Sequence, residues 1–560
     1  MTKVAIFGGG VGGLSAAHEL LELGYDVEIY ERNVLWGGKA RSMGKAYTGK
    51  DGNKNLPGEH GFRFFPGFYK HVTNTMERIP FPGKENGCLG NLVPTTQIAM
   101  LRDDGVPVVL PANFPKDIGE WQEAFNAAFG SHLGLRKESA EFFVQRLLRL
   151  ASACEERMIH KFEKISWWDY LKVDEMNDER DAYKKMLAEG LTRSLVAMKA
   201  EMASTRTVGT MLLQMLYNMM TPGVQIDRVL NGPTNEMWIR PWVDHLKENH
   251  AKMFLRSTVK SFTMKDGRIA SVTVDVDGDE REVEADHYIC ALPVEKLVNL
   301  LTPEMKAASK SLSQIHNLHV EWMNGIQFYL NHDVPVVHGH TIYVDSAWAL
   351  TSVSQHQFWT GVELDTYGDG TVKGILSVDI SDWKTNGTKV HLKPAEECTA
   401  EQIMEECWAQ LMDHLDEGGR KQLEVADRVD WHLDPDIVFP RLDDRNDHNA
   451  EPLLINKADS LQYRPEAGTE IANFYLASDY VHTTTDLACM EGANEAARRA
   501  VNALLDREGS KAKRCELWPW DVPRVFRVLQ KIDAARWALG HDQHTDFDNL
   551  PEEFDLEDTA

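Results

Sequence analysis

The chain has 560 residues, and its acidic side chains outnumber the basic ones to give a formal charge of −26. That length can bury a large core and divide into two or more domains, while the acidic balance argues against nucleic-acid binding and against purely electrostatic docking on anionic lipid. Seven scattered cysteines with no C-x-x-C pair point to reduced thiols in a cytoplasm rather than a disulfide frame or zinc site, and no apolar run reaches the length of a membrane span.

Met1-Thr2-Lys3 leads directly into an apolar strand, Lys3 to Phe7, so no secretory leader is expected. The strand runs into Gly8-Gly9-Gly10-Val11-Gly12-Gly13, which fits G-x-G-x-x-G at Gly8, Gly10 and Gly13. From Leu14 the pattern turns helical, with Leu14, Ala17 and Leu21 on one face and Gly24 placed to end it. A second strand, Val27 to Tyr30, closes on Glu31, where a ribose-binding acid belongs. In such a unit Gly8 permits the tight turn, Gly10 lets a pyrophosphate approach the main chain, and Gly13 lets the helix pack close to the strand. Glu31 can accept both ribose hydroxyls, and its charge would repel a 2′-phosphate. Strand, turn, helix, strand and acid arrive in order, which is the signature of a dinucleotide site.

After Glu31 comes a second glycine turn, Gly37-Gly38-Lys39-Ala40-Arg41-Ser42, whose two cations suit further contact with pyrophosphate and a ribityl chain. A plain NAD domain has no need of it. Residues 51 to 57 read as a loop, and the stretch from Gly58 to Tyr69 then surrounds His60 and Arg63 with aromatic side chains. An arginine in that company must be paired or stacked, so this segment is either core or a pocket wall.

Residues 76 to 224 read as mainly helical, including Ser139 to Ala153 and a long stretch from Leu187 to Met219. Methionines 198, 202, 211, 215 and 219 in the latter are core filler, or else the lining for a flexible apolar ligand. Trp238 to Leu246 reads as a short helix and Phe254 to Phe262 as a strand; Asp266-Gly267 and Asp277-Gly278 are turns of a small meander that returns through an apolar strand ending at Pro293. Residues 301 to 454 mix strands, Gly325 to Leu330 and Gly374 to Ile380, with a helix near Ala400 to Leu415. Phe474 to Ala477, Asp479 and a helix from Met490 repeat the order strand, acid, helix, so the chain is expected to return to its nucleotide domain. In the tail, Trp518-Pro519-Trp520 and Val522 to Leu539 suggest an amphipathic cap or interfacial anchor, and Asp546 to Ala560 an acidic, mobile end.

Together these segments resemble the FAD-dependent amine oxidase and phytoene desaturase superfamily, in particular its plant and cyanobacterial-type phytoene desaturase branch with the similar hydroxysqualene dehydroxylases. Glu59 to Tyr69 resembles that branch's E-T-G-L-H-I-F-F-G-A-Y. Leu230 to His245 resembles L-D-G-N-P-P-E-R-L-C-M-P-I-V-D-H. Leu476 to Tyr480 and Met490 to Ala493 resemble L-A-G-D-Y and M-E-G-A. Arg63 stands where the desaturases carry histidine, Ser478 replaces a glycine, Asn494 to Ala497 lacks the usual serine-glycine, and the tail beyond about 510 has no counterpart.

The resemblance implies an α/β architecture: a Rossmann-like FAD-binding domain of the GR2, flavin amine oxidase type from residues 1–75, 225–300 and 455–510, an α+β substrate domain from 76–224 and 301–454, and a C-terminal extension over 511–560. It places the ADP half of FAD on Gly8, Gly10, Val11, Gly12, Gly13 and Glu31, the pyrophosphate region on Lys39 and Arg41, the adenine edge on Val259, the ribityl chain on Asp479 and the flavin ring on Met490. Arg32, Gly38, Ala40, Gly61, Phe62, Arg63, Phe64, Ala291 and Ala493 complete the expected cofactor contacts, and no metal ligand is expected. The implied reaction is hydride transfer from a long apolar isoprenoid or carotenoid-like lipid to flavin, forming a C=C bond, with Arg63 and His60 as polar groups near the ring. A single nucleotide fingerprint makes a quinone or dioxygen the expected electron acceptor. Family members often sit on one leaflet, and an oligomer is compatible with the sequence. The competing readings are hydroxysqualene-type dehydroxylation or flavin-dependent lipid isomerisation, amine oxidation, and a prenyl-lipid binding protein of GDP-dissociation-inhibitor architecture.

Overall fold

The chain crosses one parallel sheet five times, from three widely separated stretches of sequence. This is seen in a computed structural model that describes residues 1–102, 108–111, 137–176, 183–190, 192–193, 198–221, 224–417, 420–440, 445–446 and 448–541. The sheet contains β1 (Lys3–Phe7), β2 (Asp26–Tyr30), β3 (Lys252–Phe254), β4 (His287–Cys290) and β5 (Phe474–Leu476) in the order β5-β4-β1-β2-β3, and every neighbouring pair is parallel. Such a sheet is buried on both faces, and β1 and β4 accordingly read as nearly continuous apolar runs. Helix α1 (Val11–Glu22) follows the first glycine turn, and α2 (Met490–Arg507) returns beside it. Asn494 of α2 ties the two together by donating to Ser15 Oγ at 2.8 Å and to Thr75 Oγ1 at 2.9 Å.

A seven-stranded mixed sheet forms the second layer. Its order is Arg428–Leu433, Asn324–Leu330, Gly374–Ile380, Leu350–Ser354, Gly339–Tyr343, Gln97–Leu101 and Val108–Pro111. The helix Ala400–His414 packs Ile403, Cys407, Trp408 and Leu411 against Phe328 and Val378 of this sheet. Between the layers, Gly325 N–H bonds His60 O at 2.6 Å, and a Cβ on Gly325 would lie 2.7 Å from Gly61 Cα. The loop carrying Glu59 to Phe64 therefore rests directly on the second sheet.

Several sequence expectations are refined. The meander is three antiparallel strands, Ser257–Lys265, Arg268–Val276 and Asp279–Val283, joined by Asp266-Gly267 and Asp277-Gly278, all four turn residues having positive φ as a type I′ hairpin needs. The single strand expected over 254 to 262 is divided between two sheets, because Arg256 turns the chain with φ 51°. The continuous helix expected from Leu187 to Met219 is interrupted: residues Lys184–Gly190 are π-helical, and a separate helix, Thr205–Met220, begins where the Ser204 side chain accepts Thr207 N–H and caps it. Met198 and Met211 are buried in the core with Met202 and Met215 packed against it, so these methionines act as core filler, and none of the four lines the cavity described below.

The tail is a strap ending in a helix, Arg524–Ala538. Trp518 N–H donates to His71 Nε2 at 3.0 Å, while His71 Nδ1 lies 2.7 Å from Glu491, whose carboxylate also accepts the N–H groups of Lys70, His71 and Val72. Arg157 and Asp533 form a buried ion pair at 2.9 Å that anchors the helix. Its outer face leaves Val528, Ile532 and Leu539 exposed beside Arg524, Arg527 and Lys531. The expected acidic end, 546 to 560, lies outside the described residues. No helix among them is long and apolar enough to cross a membrane, and all seven cysteines are free.

Candidate functional site

A cavity of about 490 Å³ opens where the carboxyl ends of β1, β2, β4 and β5 meet the loop over the second sheet. This is where ligands bind in open α/β sheets, and the volume is that of an ordinary ligand site. Its floor is the first glycine turn. Gly8 has φ +106°, which L side chains rarely adopt, and a Cβ on Gly13 would stand 1.9 Å from Gly8 O. A Cβ on Gly12 would stand 1.9 Å from Ala477 O, just beyond β5. The two glycine turns touch: Gly37 N–H bonds Gly9 O at 2.9 Å, and a Cβ on Gly38 would lie 2.9 Å from Gly10 Cα. Side chains are thus excluded at Gly8, Gly12, Gly13 and Gly38, which keeps the main chain bare at the floor of the cavity, where N–H groups can meet a diphosphate.

At one end of the cavity, Glu31 is buried with Oε2 accepting Gly9 N–H at 2.7 Å and Oε1 accepting Asn33 N–H at 2.8 Å. Burial pushes its carboxyl up, against the pull of those two N–H groups. Val259 and Thr258 line the same end, and Ser257 N–H bonds Glu31 O at 2.8 Å. At the opposite end, Cys489, Met490 and Ala493 bring the positive first turn of α2 to the wall, with Asp479 and Ala291 beside them. The structure brings Gly8, Gly10, Val11, Gly12, Glu31, Arg32, Gly38, Lys39, Ala40, His60, Gly61, Phe62, Arg63, Phe64, Val259, Ala291, Asp479, Met490 and Ala493 together around this one space.

Two expected contacts lie elsewhere. Gly13 sits behind the turn, where it serves the packing of α1 rather than the cavity. Arg41 is buried and turned away, its guanidinium donating to Gly38 O at 2.8 Å and pairing with Asp436 at 2.7 Å. A partly buried carboxylate at hydrogen-bond distance outcompetes an open cavity for that charge. Lys39 does line the cavity, yet its ammonium donates to Pro452 O, with Glu295 at 3.6 Å. Arg32 pairs with Glu451, whose carboxyl falls below the usual range because Arg32 outweighs the cost of its burial.

The aromatic segment holds a buried charge network. His60 Nδ1 lies 2.6 Å from Asp434 Oδ2 and 3.4 Å from Asp436 Oδ2. Burial alone would lower this imidazole, but Asp434 raises it to about 9, so it is a cation at neutral pH. Glu59, next to it in sequence, does not pair with it and accepts Thr234 N–H at 3.1 Å. Arg63 donates to three main-chain carbonyls, Gly61 at 2.5 Å, Phe62 at 3.2 Å and Lys39. It stands between Glu59 and Asp379, both raised by burial to about 7 against its attraction. His60 and Arg63 therefore reach the cavity as fixed cations, suited to orienting a neighbour and unable to accept a proton.

Sequence reasoning missed Asp379, Asp434, Asp436 and Glu451. Each lies in a strand or loop more than 300 residues from the glycine turns, and the sequence signal was Asp379 standing as the single charged residue within the run Gly374 to Ile380.

The family described as flavin containing amine oxidoreductase matches residues 11–505. A 15-cis-phytoene desaturase of Synechococcus elongatus is 24% identical over 91% of this chain and 98% of its own length. A zeta-carotene desaturase of Synechocystis sp. is 24% identical over 90% and 97%. Among solved structures, cyclohexylamine oxidase from Brevibacterium oxydans superposes with a TM-score of 0.58 at 13% identity, covering 90% of this chain and 99% of that one, which shows a shared fold. The glycine cradle, the buried acid and the returning helix are those a flavin dinucleotide requires, and the chain belongs to the flavin-containing amine oxidoreductase family as an FAD-dependent oxidoreductase.

Proposed function

We propose that this oxidoreductase removes two hydrogens from a long apolar isoprenoid lipid of the carotenoid class and leaves a new C=C bond. What carries the reading is similarity running the length of two carotene desaturases rather than through the nucleotide motif alone. Bound FAD supplies the two-electron acceptor. The chain's own part is to hold and exclude: Gly8 to Gly12 and Glu31 take the ADP half, Asp479 the ribityl region, and Met490, Ala493 and Gly61 the ring end. Phe62, Phe64, Tyr69, Met323 and Leu300 give that end an apolar wall on which a hydrocarbon can be aligned away from water.

The division into an FAD-binding unit of residues 1–75, 225–300 and 455–510 and a substrate unit of 76–224 and 301–454 belongs to this proposal, supported by the three sources of the parallel sheet. So do a quinone or dioxygen as final acceptor and contact with one leaflet through the exposed stripe Val528, Ile532 and Leu539 with its neighbouring cations. The test is incubation of the FAD-loaded full chain with 15-cis-phytoene in vesicles and a soluble quinone. The expected product is lighter by two hydrogens per quinone reduced, and product of unchanged mass would overturn the reading. In the same vesicles, Ile532→Asp should lower the sedimenting fraction, and equal partition would remove this stripe from the membrane contact.

A further inference from the structure

Oxidation of a hydrocarbon to an alkene releases a proton as well as a hydride, so the chain must offer that proton somewhere to go. We propose that Asp379 is the catalytic base: its carboxylate takes the proton from the carbon next to the one that gives up hydride. The inference rests on the desaturation reading above.

Geometry singles this residue out. Asp379 lies in the strand Gly374–Ile380, directly opposite Gly325. Because Gly325 has no side chain, the loop carrying His60 and Gly61 settles onto the sheet there, and Asp379 rises beside Gly61, where an added Cβ would meet Oδ1 at 2.6 Å. Oδ1 accepts Phe62 N–H at 3.2 Å, while Oδ2 has no hydrogen-bond partner among the described residues and the side chain lines the cavity. The other candidates are committed. Glu59 does not line the cavity, Glu31 spends both oxygens on main-chain N–H groups, Glu451 is paired with Arg32, and Asp479, which accepts Ser478 Oγ–H at 3.3 Å, is given to the ribityl region in the reading above. His60 and Arg63 are cations.

The charged groups facing Asp379 are Arg63 and His60, which favour its anion, and Asp434 and Glu59, which oppose it. Burial outweighs the two cations and leaves the carboxyl at about 7, where it can both accept a proton and return it. The step balances as follows. One C–H bond breaks and its hydrogen leaves with the electron pair for oxidised FAD. The adjacent C–H bond breaks, its electron pair becomes the second bond of C=C, and its proton passes to the Asp379 carboxylate and later to solvent. The lipid loses two electrons and the cofactor gains two.

The test compares the FAD-loaded full chain with Asp379→Asn and Asp379→Glu. Each is mixed anaerobically with 15-cis-phytoene in phosphatidylcholine vesicles across neutral pH while flavin bleaching is followed, and each is also titrated without lipid while the bound-flavin absorbance is recorded. The expected result is bleaching slowed about 100-fold in Asp379→Asn with loss of the pH limb near 7. The limb should persist at a displaced midpoint in Asp379→Glu, and the lipid-free absorbance should titrate near 7 in the wild type and stay flat in Asp379→Asn. Unchanged bleaching and an unchanged limb in Asp379→Asn would overturn the assignment. If Asp379→Asn does not retain FAD, an unmoved midpoint in Asp379→Glu would overturn it instead. If phytoene bleaches no form, the desaturation reading fails by itself. The lipid-free titration still decides whether this carboxyl senses the flavin, and a flat wild-type curve counts against it.

Discussion

Gly12→Ala is expected to abolish stoichiometric FAD binding. The new Cβ would stand 1.9 Å from Ala477 O and 3.0 Å from Ala477 C, and both are backbone atoms that no rotamer change can move. Relief requires α1 to part from the end of β5, the junction that joins the first forty residues to the returning segment. Overpacking a tight contact costs about 1–3 kcal/mol where side chains can adjust, and a clash between main chains belongs at or above that upper end. Circular dichroism should show the helices largely retained, while titration of the apoprotein with FAD should give no saturating absorbance change. Wild-type affinity in a folded Gly12→Ala protein would mean that the cavity floor is not where the dinucleotide rests.

Arg63→Ala should be the most damaging change in the aromatic segment, and its effect should grow with pH. The guanidinium joins three carbonyls and separates two carboxyls, so its removal leaves those acceptors unmet and lets Glu59 and Asp379 repel each other. Losing one partner from a buried charged group of this kind costs about 3 kcal/mol. The sign of the pH effect follows from the carboxyls. In the wild type both are raised to about 7, so the folded chain holds protons that the unfolded chain has released, and their contribution falls as pH rises from the ordinary carboxylate range to about 7. Without Arg63 both rise further, and the falling window extends to higher pH. Thermal unfolding should show the variant below wild type in mild acid, where the three carbonyls are already unmet, and further below it at alkaline pH. A gap that narrows as pH rises would contradict this network.

What was legible in the sequence was whatever the backbone demands locally. Gly8, Gly12 and Gly13 are glycines because a Cβ would strike main chain or force an unfavourable φ, and Glu31 follows at the distance set by one strand, one turn and one helix. The return at Asp479 and Met490 repeats that local grammar, so it too was visible. Partner choice was not. Lys39 and Arg41 look alike beside a glycine turn, and only the approach of Asp436 from nearly 400 residues away turns Arg41 out of the cavity. Asp379 in its strand and Asp434 just after another carry no motif, and each becomes meaningful only once the fold brings it beside Gly61 or His60. The break before Thr205 had a readable cause in Ser204, but the apolar periodicity on either side masked it.

The central claim is a single FAD held between the amino-terminal glycine turns and the helix beginning at Met490, and titration of the full-length apoprotein with FAD tests it most directly. The account predicts saturation at one FAD per chain, with a flavin spectrum that stays with the protein through gel filtration. A colourless, folded protein that leaves added FAD free in solution would contradict it.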